Sequence, residues 1–205
     1  RLFRSFFRQG PGAEEAIRWP IPPGYESLSG TAPLGYAHGA AGIADALLDL
    51  FEATGDECFL TAAQGAGRWL ARHAGPCLED GTGLDWPQVE GGKGTGFWCH
   101  GSAGVGRFFL HAAWLKTLPG AARLARGAAR GIAHGMRWAG PSQCHGLSGN
   151  LEFLLDEALA SGAPADHAEI APTARLLEAF ACERDGLLVF PADSPETFTP
   201  DYMVG

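Results

Sequence analysis

Apolar residues recur at helical spacing in three successive pairs of segments, each pair split by a Gly, Pro or Asp break. In the first pair Ile43, Leu47, Leu50 and Phe51 form one stripe, Thr54-Gly55-Asp56 interrupts it, and Phe59, Leu60, Ala63 and Leu70 form the next. The second runs from Val105, Phe108, Phe109, Ala112 and Leu115 to Pro119-Gly120, then from Leu124, Ala128 and Ile132 to Trp138. The third takes Leu147, Leu151, Leu154, Leu155 and Ala158 to a break at Gly162-Ala163-Pro164, then Ile170, Leu176, Leu177 and Phe180. These spacings predict helical hairpins near residues 40–74, 103–138 and 147–183. Two short runs, Gly83 to Pro87 and Gly186 to Pro191, follow the outer helices of the first and third pairs and read as short extended connections. The expected fold class is all-α with little strand.

Each first helix is announced by a Gly-bracketed box: Gly35 to Gly42 (GYAHGAAG), Trp98 to Gly104 (WCHGSAG) and Cys144 to Gly149 (CHGLSG). Between the last glycines lie intervals of 62 and then 45 residues, and the glycine-rich stretch from Asp80 to Gly96 supplies the excess in the first. Hairpin repeats of this kind stack because one pair cannot bury its own apolar face. The terminal Pro200 to Gly205 reads as a fourth box cut at its helix start, so residues 35–205 are expected to be part of a larger ring or solenoid. Residues 1–34 form a leading segment. In it Arg1, Arg4 and Arg8 alternate with Phe3, Phe6 and Phe7, the pattern of an amphipathic outer helix with its arginines in solvent, or of a contact to a leader peptide or a neighbouring domain.

Charge narrows the range of partners. The 205 residues carry 15 Lys+Arg against 23 Asp+Glu, a net of −8, which disfavours a nucleic-acid binder that must release phosphate counterions. At 46% hydrophobic and 19% charged the chain can bury a core, which excludes disordered and fibrous classes. No run approaches the roughly 20 apolar residues of a membrane span, and the N-terminus has no continuous apolar signal core. It does not begin with Met, as expected of a processed or excised segment. Five cysteines, an odd number in a chain too long to need staples, suit a reducing, cytoplasmic setting.

The boxes also carry the chemistry. Cys99 lies in the second, Cys144 and His145 in the third, His38 in the first, and His100 follows Cys99. Thiolate and imidazole are the ligands Zn²⁺ prefers, and three protein ligands leave a tetrahedral position open. If equivalent helix starts face a common axis, Cys99 meets the Cys144/His145 pair across 45 residues, and the helix N-termini should favour thiolate. Cys58, Cys77 and Cys182 lie outside the boxes and read as inert core positions. His73, His111, His134 and His167 fall on helical stretches or their ends, where caps, solvent or core account for them.

Trp98-Cys99-His100-Gly101, Cys144-His145-Gly146 and Gly35-Tyr36-Ala37-His38-Gly39 together resemble the signature of the lanthionine synthetase C-like (LanC-like) cyclases, in the family's order and over roughly residues 30 to 205. The resemblance implies an α/α toroid of helical hairpins, partial here because three pairs and a stub are present where a family toroid has six or seven pairs. It implies that Cys99, Cys144 and His145 ligate Zn²⁺, that His38 is the active-site histidine and that His100 assists proton transfer. Lys93 stands nearest to the family's basic residue before Trp-Cys, and the family's active-site aspartate has no match. The implied reaction is Michael addition of a peptide cysteine to dehydroalanine or dehydrobutyrine in a dehydrated precursor peptide, giving (methyl)lanthionine rings. Kinase and lyase domains, or a dehydratase, are the implied partners.

Three other readings compete. A related enzyme could add glutathione or another small thiol to dehydrated residues with the same zinc. A non-catalytic helical-repeat protein could hold zinc and bind peptide. A sugar-active α/α toroid would need paired carboxylates, and Asp80, Asp85 and Glu90 have no convincing spacing for that.

Overall fold

The computed structural model describes residues 15–24, 29–135, 139–162, 168, 170–192 and 194–204. The Arg/Phe run of residues 1–8, Trp138, His167 and the side chain of His134 lie outside the described residues. Six helices are found among them: α1 Ala40–Thr54, α2 Glu57–Arg72, α3 Ser102–Trp114, α4 Ala121–Gly135, α5 Leu147–Ser161 and α6 Ile170–Glu178. None is long and apolar enough to cross a membrane.

The helices pair as the periodicity predicts. Gly55 (φ +67°) and Gly162 (φ +63°) end α1 and α5 in the left-handed conformation, their N–H groups bonding the Phe51 and Ala158 carbonyls. Asp56 then accepts from the Cys58 N–H at 3.1 Å and starts α2. α1 packs on α2, α3 on α4 and α5 on α6, while α3 touches both α1 and α5, so the first helices of the three hairpins stand side by side. Small residues line these contacts, with Ala44, Ala63, Ala66, Ala112, Ala125 and Ala128 all buried, and Phe108, Phe109 and Phe153 fill the space between them.

The glycine-rich stretch after α2 is more than spare length. Strands β1 Gly75–Pro76, β2 Leu84–Pro87 and β3 Gly94–Thr95 form an antiparallel sheet in the order β1-β2-β3. β2 packs on α3 and α4, and Trp86 is fully buried with its indole N–H on the Leu70 carbonyl at 2.8 Å. The third hairpin is shorter than its apolar pattern suggests. α6 ends at Glu178, and β4 Cys182–Arg184 pairs with β5 Leu187–Val189 around Asp185 (φ +52°) and Gly186 (φ +74°), two left-handed residues as a type I′ turn requires.

The starts of α1, α3 and α5 share one construction. Their N-caps are Gly39, Gly101 and Gly146, none with a side-chain cap. The chain instead folds back over each helix start. Ala40 and Ala41 N–H donate to the Pro33 and Leu34 carbonyls, Leu147 and Ser148 N–H to those of Gly140 and Pro141, and the Ser102 hydroxyl to that of Thr95. A Cβ on Gly39, Gly101 or Gly146 would overlap the carbonyl oxygen of Pro33, Thr95 or Gly140. Three residues on, Gly42, Gly104 and Gly149 meet the carbonyl oxygens of Tyr36, Trp98 and Gln143 in the same way.

Gly104→Ala should therefore destabilise the protein. Alanine gains up to about 1 kcal/mol in helix propensity, but its methyl would overlap the Trp98 carbonyl and press on the Tyr36 Cβ. Overpacking of this kind costs about 1–3 kcal/mol. Urea denaturation should give a lower midpoint; an unchanged or raised midpoint would contradict this packing account.

Candidate metal centre

The boxes are joined to one another by their backbones. Ala37 N–H donates to the Cys99 carbonyl at 2.9 Å, Cys99 N–H to that of Cys144 at 2.9 Å, and Cys144 N–H to that of Met203 at 2.8 Å. Each of these residues stands two before its box glycine, so equivalent positions bond in series. The terminal stretch thus joins the third box through Met203. With the two cysteines on adjacent rungs, Cys99, Cys144 and His145 present ligand atoms within 4.8 Å of one another.

Cys99 is 2% exposed, and Cys144 and His145 are half-buried. Burial, followed by the hydrogen bond and charge of Cys144, pushes the Cys99 thiol up to about 12. This reverses the expectation that helix N-termini alone favour thiolate there, because local dipoles are outweighed by desolvation and by a second sulfur. A cation bound between the sulfurs would supply the missing counter-charge, and the pair with its imidazole is a donor set suited to a soft or borderline metal ion. The group can hold a metal ion.

Two further histidines lie near this group. His100 Nδ1 is 2.9 Å from Cys99 Sγ, and burial, then His145 and His38, lower its pKa. His38, His100 and His145 occupy the same place in three successive boxes, and His100 lies within electrostatic reach of the other two. His38 is exposed. Phe97 sets its ring edge-on to both His100 and His145, and Tyr36 packs on Trp98 with ring centroids 5.0 Å apart. Lys93 is exposed, immediately before β3. The cysteines outside the boxes are not core residues: Cys77, just after β1, and Cys182, in β4, are exposed and Cys58 is half-buried.

Sequence reasoning passed over His111. Its Nδ1 pairs with Asp45 at 2.8 Å and its Nε2 with Glu52 at 3.1 Å, tying α3 to α1. The other Asp45 oxygen accepts from the Tyr36 hydroxyl at 2.5 Å. Burial, then the hydrogen bond to Asp45, holds Tyr36 well above the ordinary phenol range, so it remains a donor. This chain anchors the box that carries His38. Only the acidic positions of α1 on one helical face hinted at it.

The family profile described as "Lanthionine synthetase C-like protein" matches residues 14–174, most of the chain. A search for similar individual proteins gave no match.

The Asp45 hydrogen bond, ahead of the opposing effect of burial, raises the His111 pKa, and Glu52 adds to the rise. A histidine whose folded pKa exceeds its unfolded value of about 6.5 contributes stability in full below that value. The contribution fades as pH rises through the folded pKa. His111→Gln should therefore lower the melting temperature most near about pH 6 and least near about pH 9. A deficit that stays constant or grows with pH would contradict the ion-pair account.

Proposed function

The chain belongs to the lanthionine synthetase C-like family, and on that premise we propose that it is a zinc-dependent cyclase forming (methyl)lanthionine thioethers in a dehydrated precursor peptide. The observation that carries the reading is the convergence of Cys99, Cys144 and His145, with His100 and His38 beside them. The three hairpins are then successive sectors of an α/α toroid spanning residues 35–205, with α1, α3 and α5 lining its interior. Their side-by-side order and the box-to-box hydrogen bonds support that arrangement.

Cys99, Cys144 and His145 would hold the zinc ion, which supplies a positive charge that keeps an incoming peptide thiol deprotonated near neutral pH. His100, beside the Cys99 sulfur, takes the thiol proton, its imidazole being neutral and basic enough for transfer at working pH. The peptide sulfur attacks the β-carbon of dehydroalanine or dehydrobutyrine. A C–S bond forms, and the C=C π pair moves toward the carbonyl as an enolate. His38, exposed at the mouth, returns a proton to the α-carbon. The product has the mass of the reactant with one fewer thiol. Phe97 limits how far the His100 and His145 rings can turn. Holding both ends of one peptide makes the addition effectively unimolecular, which can be worth about 7–11 kcal/mol of barrier.

Incubating the protein with a dehydrated, cysteine-containing peptide should reduce alkylation by a thiol reagent without changing peptide mass. His38→Asn should slow this by roughly 10²-fold or more. Undiminished alkylation by zinc-loaded protein would contradict the cyclase reading, and a mass gain equal to an added thiol would identify intermolecular transfer instead. Zinc content should be near one equivalent per chain and fall to near none in Cys99→Ala.

A further inference from the structure

Pro33, Thr95 and Gly140 each stand six residues before an N-cap glycine, and their carbonyls cross the starts of α1, α3 and α5. Of the three, only Thr95 carries a side-chain donor. Its hydroxyl donates to the His100 carbonyl, while its own carbonyl accepts from the Ser102 hydroxyl at 3.1 Å. One residue thus grips the chain on both sides of Gly101.

The sheet gives Thr95 this hold. Thr95 pairs with Trp86 across β3 and β2, and Trp86 is fully buried with its indole N–H on the Leu70 carbonyl. The Ser102 hydroxyl is shared between the Thr95 carbonyl and that of Leu84, at 3.2 Å, so both strands are tied to the start of α3. The stretch from Asp80 to Gly96, surplus to the repeat spacing, therefore delivers a hydroxyl to the second box that the first and third do not have at the equivalent position.

What it grips is the Cys99-His100 dipeptide. The Cys99 N–H donates to Cys144, the Cys99 carbonyl accepts from Ala37, and the His100 carbonyl accepts from Thr95. Three main-chain groups held by three separate segments fix the backbone dihedrals between them, and with them the direction in which the His100 side chain leaves the chain. Phe97, edge-on to the ring, restricts its rotation. The ring comes to rest with Nδ1 2.9 Å from Cys99 Sγ.

That contact selects a tautomer. A Cys99 sulfur bound to a metal ion has no proton to give, so the hydrogen bond runs from Nδ1–H to sulfur, and the neutral ring keeps its lone pair on Nε2. Partners one step removed from a metal orient its surroundings in this way.

We propose that Thr95 is a positioning residue for His100. It holds the ring in the Nδ1–H form against the Cys99 sulfur and leaves Nε2 as the nitrogen that accepts the peptide thiol's proton. Naming Nε2 as the base rests on the cyclase reading; the tautomer and its dependence on Thr95 do not.

The test is long-range ¹H–¹⁵N correlation NMR on the zinc-loaded protein labelled at its histidine nitrogens, with His100→Asn identifying the signals. The wild-type protein should show His100 protonated at Nδ1 and bare at Nε2. Thr95→Val keeps the shape of the side chain without its hydroxyl; it should retain near one equivalent of zinc and give His100 signals averaged over both tautomers. Thr95→Ser should restore the single form. In cyclisation, Thr95→Val should lower kcat by roughly tenfold or more with KM unchanged, and Thr95→Ser should recover most of it. Thr82→Val removes a hydroxyl elsewhere in the same insertion and should change none of these readings. An Nε2–H tautomer in the wild type, His100 signals or a kcat indifferent to Thr95→Val, or equal effects of the valine and serine variants, overturns the proposal. Loss of zinc in Thr95→Val also overturns it, since Thr95 would then support the metal ligands and not His100. A wild-type protein that cyclises while its His100 signals ignore Thr95 removes the positioning role alone. A Thr95-dependent tautomer in a wild-type protein that does not cyclise supports the positioning and removes the cyclase reading alone.

Discussion

Three backbone hydrogen bonds, Ala37 to Cys99, Cys99 to Cys144 and Cys144 to Met203, connect everything else in this structure. Each is worth only about 0.5–1.5 kcal/mol net, but together they hold the three boxes and the stretch at Met203 in register. Two cysteines separated by 45 residues become neighbours because they occupy adjacent rungs, not because any local motif pairs them. The glycines make the register possible: carbonyl oxygens cross the starts of α1, α3 and α5 so closely that a single methyl would overlap them.

Register brings an electrostatic cost that defines the site. Burial and the neighbouring Cys144 sulfur oppose ionisation of Cys99, and burial, then histidines from the adjacent boxes, lower the basicity of His100. A cation relieves the first conflict. On the opposite flank of Tyr36, the Asp45, His111 and Glu52 network resolves a similar crowding of charge by pairing it across α1 and α3. Tyr36 thus stands between two chemistries, packed on Trp98 beside Cys99 on one side and hydrogen-bonded to Asp45 in the network between α1 and α3 on the other.

What could be read from the sequence was what is local or repeated. Helical periodicity with Gly55 and Gly162 as left-handed stops located the first and third hairpins, and repetition of the boxes related Cys99 to Cys144 before any coordinates did. His111 escaped because its partners Asp45 and Glu52 lie 66 and 59 residues earlier, and nothing in its own helix marks it. The extended run from Gly83 to Pro87 was legible and contains β2, but its partners β1 and β3 were not, since each is two residues long and the sheet acquires a core only by packing on α3 and α4. The extended run from Gly186 to Pro191 was legible and contains β5, whereas β4 lay under apolar spacing that continued to Phe180 past the end of α6. The Cys99 thiol went the other way, since helix-start dipoles argued for thiolate and only tertiary burial beside Cys144 reverses them.

The convergence of two sulfurs and one imidazole on a single ion is tested most directly by X-ray absorption at the zinc edge on the purified protein. The account predicts one zinc per chain with two sulfur ligands at about 2.3 Å and nitrogen at about 2.0–2.1 Å, the sulfur shell shrinking in Cys144→Ala. A shell of oxygen and nitrogen only, of the kind Asp49, Glu52 and His111 could provide, would contradict it.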